Sequence, residues 1–149
     1  MFASIFIIVV SLILFVYWFR YTCLLILSAQ NAKNYAPQVA TANQLNFLEV
    51  RSELMQEAPN SPLEKLHRAL DRDYRVLTYL LQHAATYSVS GRSIEERILM
   101  LDYQVMRVWY AVTRGMSSTL ARRALLEQAT VVNHLANAMG ERVAVSARV

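Results

Sequence analysis

The alternation of apolar and polar positions changes character near residue 30. Residues 2–19 carry no charge, and an apolar stretch resumes after Arg20 with Thr22–Leu27. From Gln30 onward, Lys, Arg, Asp and Glu are mixed throughout. As a helix, residues 2–19 rise about 27 Å, close to the roughly 30 Å hydrocarbon thickness of a bilayer. The span is nearly complete when Arg20 arrives. Tyr17, Trp18 and Tyr21 surround that arginine, and aromatic residues of these types collect at the membrane–water interface. There an arginine lays its stem along lipid and sets its head among phosphates. Tyr17, Trp18, Arg20 and Tyr21 are therefore predicted to mark the membrane edge. Residues 1–36 are predicted to form a transmembrane helix with a juxtamembrane extension.

Other readings of this segment fit less well. A secretory signal places basic residues before its apolar run and an A-x-A-like site after it. Here no Lys or Arg precedes Arg20, and Leu27 stands two positions before Ala29. A functional charge inside the membrane needs a partner, and residues 2–29 contain no acid or histidine. A soluble core helix would show a polar face. A membrane anchor remains. Arg20 and Lys33 follow the span and nothing basic precedes it, so the positive-inside rule predicts the N-terminus outside and the rest in the cytoplasm. The membrane expected is an inner or plasma membrane.

Beyond the anchor the periodicity is helical, and the fold class expected is all-α: a single N-terminal transmembrane helix followed by an up-down bundle of three to four helices. Pro37 is expected to end the first helix near Tyr35. Residues 37–60 read as a linker and a short helix over Ala42–Glu57, with Leu45, Leu48 and Met55 on one stripe and Phe47 and Leu54 on another. The bundle is expected over 61–140. Ser61, Pro62 and Glu64 form a capping box that opens a helix of about 26 residues. Its stripe is Leu63, Leu66, Leu70, Leu77, Leu80, Ala84 and Tyr87, interrupted only by Asp73. Gly91 breaks it, and Ser93 with Glu96 repeats the capping box. The next helix runs to about Arg114 and is apolar on two sides. Ile94, Ile98, Leu101, Val105, Val108 and Val112 are expected in the core. Leu99, Tyr103, Met106 and Tyr110, with Trp109 between the stripes, are expected to face a partner. Gly115 closes this helix, and Ser117 or Ser118 caps a last one with Leu125, Val132, Leu135 and Met139 inside. Gly140 is expected to end it, leaving 141–149 as a frayed tail.

Composition refines this picture only slightly. Three glycines and three prolines in 149 residues favour long helices over sandwiches, barrels or disordered linkers. The net charge of +4 is too small to imply a nucleic-acid partner. From Arg107 onward, however, six arginines face only Glu127 and Glu141. Arg114, Arg122 and Arg123 form a candidate basic patch for anionic headgroups or an acidic subunit, with a solvated helix face as the simpler explanation. The single cysteine, Cys23, forms no internal disulfide framework and reads as a small hydrophobe.

Catalytic signatures are missing. Glu64 and His67 form E-x-x-H, but His83 and His134 lack a glutamate three residues earlier, so a di-iron set is incomplete. A surface pair is the simpler reading, and no metal site is expected. There is no Gly-rich phosphate loop, no nucleophile elbow, and no histidine near the anchor to ligate haem. No cofactor is expected. Asp73 requires a partner if buried, with Arg107 and Arg114 as candidates; the alternative turns Tyr74 inward instead. The functional expectation is a non-catalytic accessory or scaffold subunit of a membrane-bound assembly. Its partners would be membrane lipid and other protein subunits. A self-associating homo-oligomer is the alternative, and a helical-bundle metalloenzyme a more distant one.

Overall fold

The structure is a computed structural model that describes residues 1–28, 33–56, 61–87 and 93–148, with side chains omitted at 85–87. Among these residues the protein is all-α, with six helices and no strand. The chain divides into two compact units, Met1–Gln30 and Asn31–Val149.

The first unit is α1, Phe2–Ser28, the one described helix long and apolar enough to cross a membrane. Two of its hydroxyls bond within the helix. Thr22 Oγ1 donates to the Trp18 carbonyl and Ser28 Oγ to that of Leu25, each at 2.9 Å. Neither hydroxyl therefore needs water to be satisfied.

The second unit is built around its last helix. It contains α2 (Ala36–Asn43), α3 (Phe47–Met55), α4 (Leu63–Tyr87), α5 (Ile94–Thr113) and α6 (Ser118–Ser146). Helix α6 packs against α2, α3, α4 and α5. Its sequence suits that place. Ala121, Ala124, Ala129, Ala136 and Gly140 are small and buried, which lets neighbours approach closely, while Leu125, Val131, Val132 and Leu135 fill the gaps between them. Helices α4 and α5 both lie on α6, yet among the described residues no Cα atoms of the two come within 8 Å of each other. Aromatic rings bridge the space: Tyr74 stacks on Tyr103 with centroids 3.8 Å apart and His67 on Tyr110 at 4.5 Å.

Several expectations change. Pro37 does not end the first helix; it sits in the first turn of α2, where its missing N–H costs nothing. The single helix expected over 42–57 is two, separated at Gln44, which adopts a left-handed conformation with φ 53°. Both pack on α6, so the expected linker region belongs to a five-helix unit. Neither N-cap residue, Tyr35 or Asn46, bonds the first turn through its own side chain, although Asn34 Oδ1 accepts the Ala36 N–H at 3.2 Å. Each N-cap N–H is met by a buried acceptor from a long helix. Asn137 Oδ1 accepts the Tyr35 N–H and Asp73 Oδ2 the Asn46 N–H, both at 2.6 Å. Asp73 is also paired with Arg72 Nη2 at 3.2 Å, not with Arg107 or Arg114. Tyr74 turns inward beside it. In α4, Leu81 is buried and Leu80 only half so, which rotates the expected stripe slightly.

Gly140 does not stop α6. A Cβ there would run into Cβ of Tyr35 and come within 3.2 Å of Val39 Cγ2, so the glycine permits the crossing of α2 over α6. The helix continues to Ser146, replacing most of the expected frayed tail. Arg142 in this extension bonds both carboxylate oxygens of Glu96, at 2.6 and 2.8 Å. The second capping box accordingly forms by half. Ser93 Oγ accepts the Glu96 N–H at 3.2 Å, but the Glu96 side chain serves Arg142. The break expected at Gly91 lies outside the described residues.

Candidate functional site

Helix α5 carries two heptad series. Glu96, Leu99, Tyr103, Met106, Tyr110 and Thr113 form one; Ile94, Ile98, Leu101, Val105, Val108 and Val112 form the other. At 100° per residue the two series lie on nearly opposite sides of the helix. The structure buries the first and exposes the second. Tyr103 is fully buried and Leu99, Met106 and Tyr110 nearly so. Ile94 is 76% exposed, Leu101 54%, Val105 40%, Val108 65% and Val112 53%, with Ile98 half-buried. Trp109 borders this face and is 47% exposed.

This reverses the assignment expected from sequence. Leu99, Tyr103, Met106 and Tyr110 are core residues, and the aliphatic stripe is the free face. The reason is reach. Because α4 and α5 stand apart, only long aromatic side chains on α5 meet Tyr74 and His67 across the gap. Valines would leave a void there, and voids of that size destabilise a core. Of the residues expected to face a partner, Trp109 alone remains at the surface.

The aromatic layer between α4 and α5 holds most of the unusual titrating groups. Burial pushes the Tyr103 hydroxyl well above the ordinary tyrosine range, and nearby Asp71 adds to the effect. Burial also raises Tyr110, with Glu64 reinforcing it. His67 is held below 6.5, chiefly by burial, although Asp71 and Glu64 pull the other way. The buried Gln128 lies beside it. These groups sit in a neutral stack clamped from outside: Arg107 Nη1 is 3.6 Å from Asp71 Oδ1, and Arg75 also pairs with Asp71.

Glu64 pairs with Arg68 at 3.4 Å and with Arg114 at 3.3 Å. The E-x-x-H pair is thus divided between an ion-pair cluster and an aromatic stack. Among the described residues no three His, Cys, Asp or Glu side chains converge. Of the basic trio, Arg114 and Arg122 both reach the start of α4, with Arg122 Nη2 donating to Ser61 Oγ at 3.5 Å. Arg123 points to solvent. Two of the three thus tie loop and helix together within the unit. A cavity of about 270 Å³ lies between α3 and α4, lined by Glu49, Val50, Glu53, Lys65 and Leu66. In α1, Trp18 and Tyr21 meet edge to face at 6.4 Å, and Tyr17 and Trp18 are each about two-thirds exposed. Cys23 is buried and forms no disulfide.

Comparison with protein-family models, curated proteins and solved structures finds no match to this chain.

Proposed function

We propose that the protein is a non-catalytic subunit of a larger membrane-bound protein assembly, anchored by α1 and engaging partners through its helical unit. The exposed aliphatic face of α5 carries this reading. A soluble surface rarely keeps a contiguous apolar patch of this extent unless something covers it. Here the patch runs the length of one helix, and its opposite side is already used for the core. The uncharged span of α1, with Tyr17, Trp18, Arg20 and Tyr21 at one end, supports anchoring in a bilayer. The Arg20 and Lys33 bias supports a cytoplasmic helical unit.

Site-specific photocrosslinking in intact membranes tests the reading. A benzophenone side chain at Val108 should give discrete protein adducts, whereas the same probe at exposed Arg123 should give few. Equal yields at the two positions would remove the assigned docking face. Labelling of introduced N-terminal and C-terminal cysteines by a membrane-impermeant maleimide reads the orientation; only the N-terminal one should react from outside.

A further inference from the structure

We infer that the outer face of α4 docks on anionic lipid headgroups through Arg68, Arg72 and Arg75, an inference that rests on the reading of α1 as a bilayer anchor with the helical unit on its cytoplasmic side.

An imbalance of charge sets this face apart. Five arginines share three carboxylates along α4. Glu64 meets Arg68 of its own helix at 3.4 Å and Arg114 of α5 at 3.3 Å. One heptad further on, Asp71 is likewise shared between Arg75 of α4 and Arg107 of α5, while Asp73 meets Arg72. Each α5 arginine alone balances its carboxylate, so one guanidinium charge is left over at Glu64 and one at Asp71. Burial then separates the signs by depth. The Asp73 and Asp71 side chains are 0% and 13% exposed, against 78%, 56% and 72% for Arg68, Arg72 and Arg75. A surface approaching α4 meets guanidinium groups first and their counter-charges beneath.

Spacing makes these heads a row. Residues 68, 72 and 75 step by four and three, so they share one side of α4 over roughly 10 Å of helix. Tyr79, stacked on His83 with centroids 4.0 Å apart, prolongs the row with an exposed residue type enriched at membrane–water interfaces. The exposed acids Glu49, Glu95 and Glu141 lie on α3, α5 and α6. Lys65 is not counted in the row, because it lines the α3–α4 cavity with Glu49 and Glu53.

Two observations favour lipid over an acidic protein. A protein interface is organised around a buried apolar or aromatic centre. Among the described residues of α4, Tyr79 is the one exposed large hydrophobic side chain, so the row offers charge without such a centre. Charge of that kind is what draws basic segments to the negative cytoplasmic leaflet. The second observation is supply. From Ser28 at the end of α1 to Ala36 at the start of α2 the chain advances eight residues, at most about 29 Å even when fully extended. Headgroups are thus always at hand for an anchored chain, whereas an acidic protein has to be recruited. The apolar stripe of α5 stays free. Arg107 and Arg114 follow its members Val105 and Val112 by two positions, about 200° round the helix, so the seam with α4 lies on the far side of α5 from that stripe.

The test uses the full chain in nanodiscs, as a Cys23→Ala, Gln82→Cys protein spin-labelled at position 82, which is exposed beside the row. The discs contain a gadolinium-chelate headgroup lipid in neutral phosphatidylcholine, with or without about 30% phosphatidylserine. Relaxation of the spin by gadolinium should be at least roughly threefold faster in the anionic discs, and about 0.5 M salt should abolish the difference. A label at Glu141 should show a smaller rise. Arg68→Gln with Arg75→Gln should weaken docking roughly 30-fold and remove the rise. Arg114 and Arg107 still pair Glu64 and Asp71 in that variant, and circular dichroism should show it folded. Arg68→Lys with Arg75→Lys keeps the charges and should keep the rise. Equal relaxation in the two discs, an equal rise at both labels, or a rise that survives the glutamines overturns the inference while the anchor stands. A photocrosslinker at Gln82 that captures a protein in native membranes only when both arginines are present overturns it in favour of an acidic partner. A chain that alkaline carbonate strips from liposomes of the same lipids defeats the anchor reading, and the inference with it.

Discussion

Replacing Asp73 with alanine separates the two accounts of this helical unit most sharply. On the heptad of α4, Asp73 is a flaw, and removing its charge should help or be neutral. In the structure it is fully buried and accepts the Asn46 N–H at 2.6 Å, capping the start of α3, while its other oxygen meets Arg72 at 3.2 Å. Alanine takes away the acceptor and supplies nothing in its place. Losing a hydrogen bond to a charged acceptor costs about 1.5–3 kcal/mol. Arg72 is more than half exposed, so water replaces most of its share and that loss stays below about 1 kcal/mol. The total is about 1.5–4 kcal/mol, a fall in Tm of roughly 5–20 °C for a unit of this size. Asp73→Asn keeps an oxygen for Asn46 and should lose about half as much. Thermal unfolding of the full chain in mild detergent, followed by circular dichroism, reads the global change. Amide exchange over residues 46–50 reads the local one, and it should quicken more than exchange in α6. An Asp73→Ala protein that melts within about 2 °C of wild type, with unaltered exchange at Asn46, would refute the capping role.

The remaining predictions concern other joints of the same unit. Arg142→Met strands the buried Glu96 carboxylate and should destabilise by about 2–4 kcal/mol; Glu96→Gln with Arg142→Met should recover part of this in a denaturant double-mutant cycle. Gly140→Ala should cost at least about 1–3 kcal/mol through its clash with Tyr35, whereas Gly115→Ala, with nothing within 4 Å, should be neutral or slightly stabilising in the same titration. His67 has its folded-state pKa below the unfolded 6.5, so the unfolded chain binds the proton more readily. The stabilising effect of the neutral ring is therefore complete above pH 6.5 and is lost as pH falls towards the folded pKa. The Tm decline between pH 7.5 and 5.5 should be shallower in His67→Gln, and an identical decline would count against the burial of that ring.

Helix type and the starts of α4, α5 and α6 were legible because they rest on local signals. The capping residue Ser93, the turn around Gly115 and the uncharged run of α1 act within a few residues of themselves. What was not legible depends on partners far away in sequence. Glu96 satisfies the capping-box spacing, but Arg142 outcompetes its own N-terminal backbone for the carboxylate. Gly140 looks like a stop, and only the approach of Tyr35 makes it a crossing point. The two faces of α5 are almost equally apolar, so hydrophobicity alone does not choose between them. Side-chain length does, once α4 and α5 are known to stand a ring's width apart. Tyr74 on α4 and Tyr103 on α5 were the available hint: two large rings at matching positions imply a gap that valines do not fill. The basic patch dissolved for a related reason, since Arg114 and Arg122 find Glu64 and Ser61 at the start of α4.

The central claim is that the chain works as a membrane-held subunit through the outer face of α5. Its most direct test is extraction from native membranes in a gentle detergent by an affinity tag at Val149, with native mass and composition read for wild type and for the Leu101→Glu, Val108→Glu protein. The account predicts a wild-type particle heavier than one chain, holding other membrane proteins in fixed ratio. It predicts that the two glutamates dismantle that particle while the chain stays folded and in the membrane fraction. A wild-type protein that leaves the membrane alone, as a single copy, with the same mass as the variant, would contradict it.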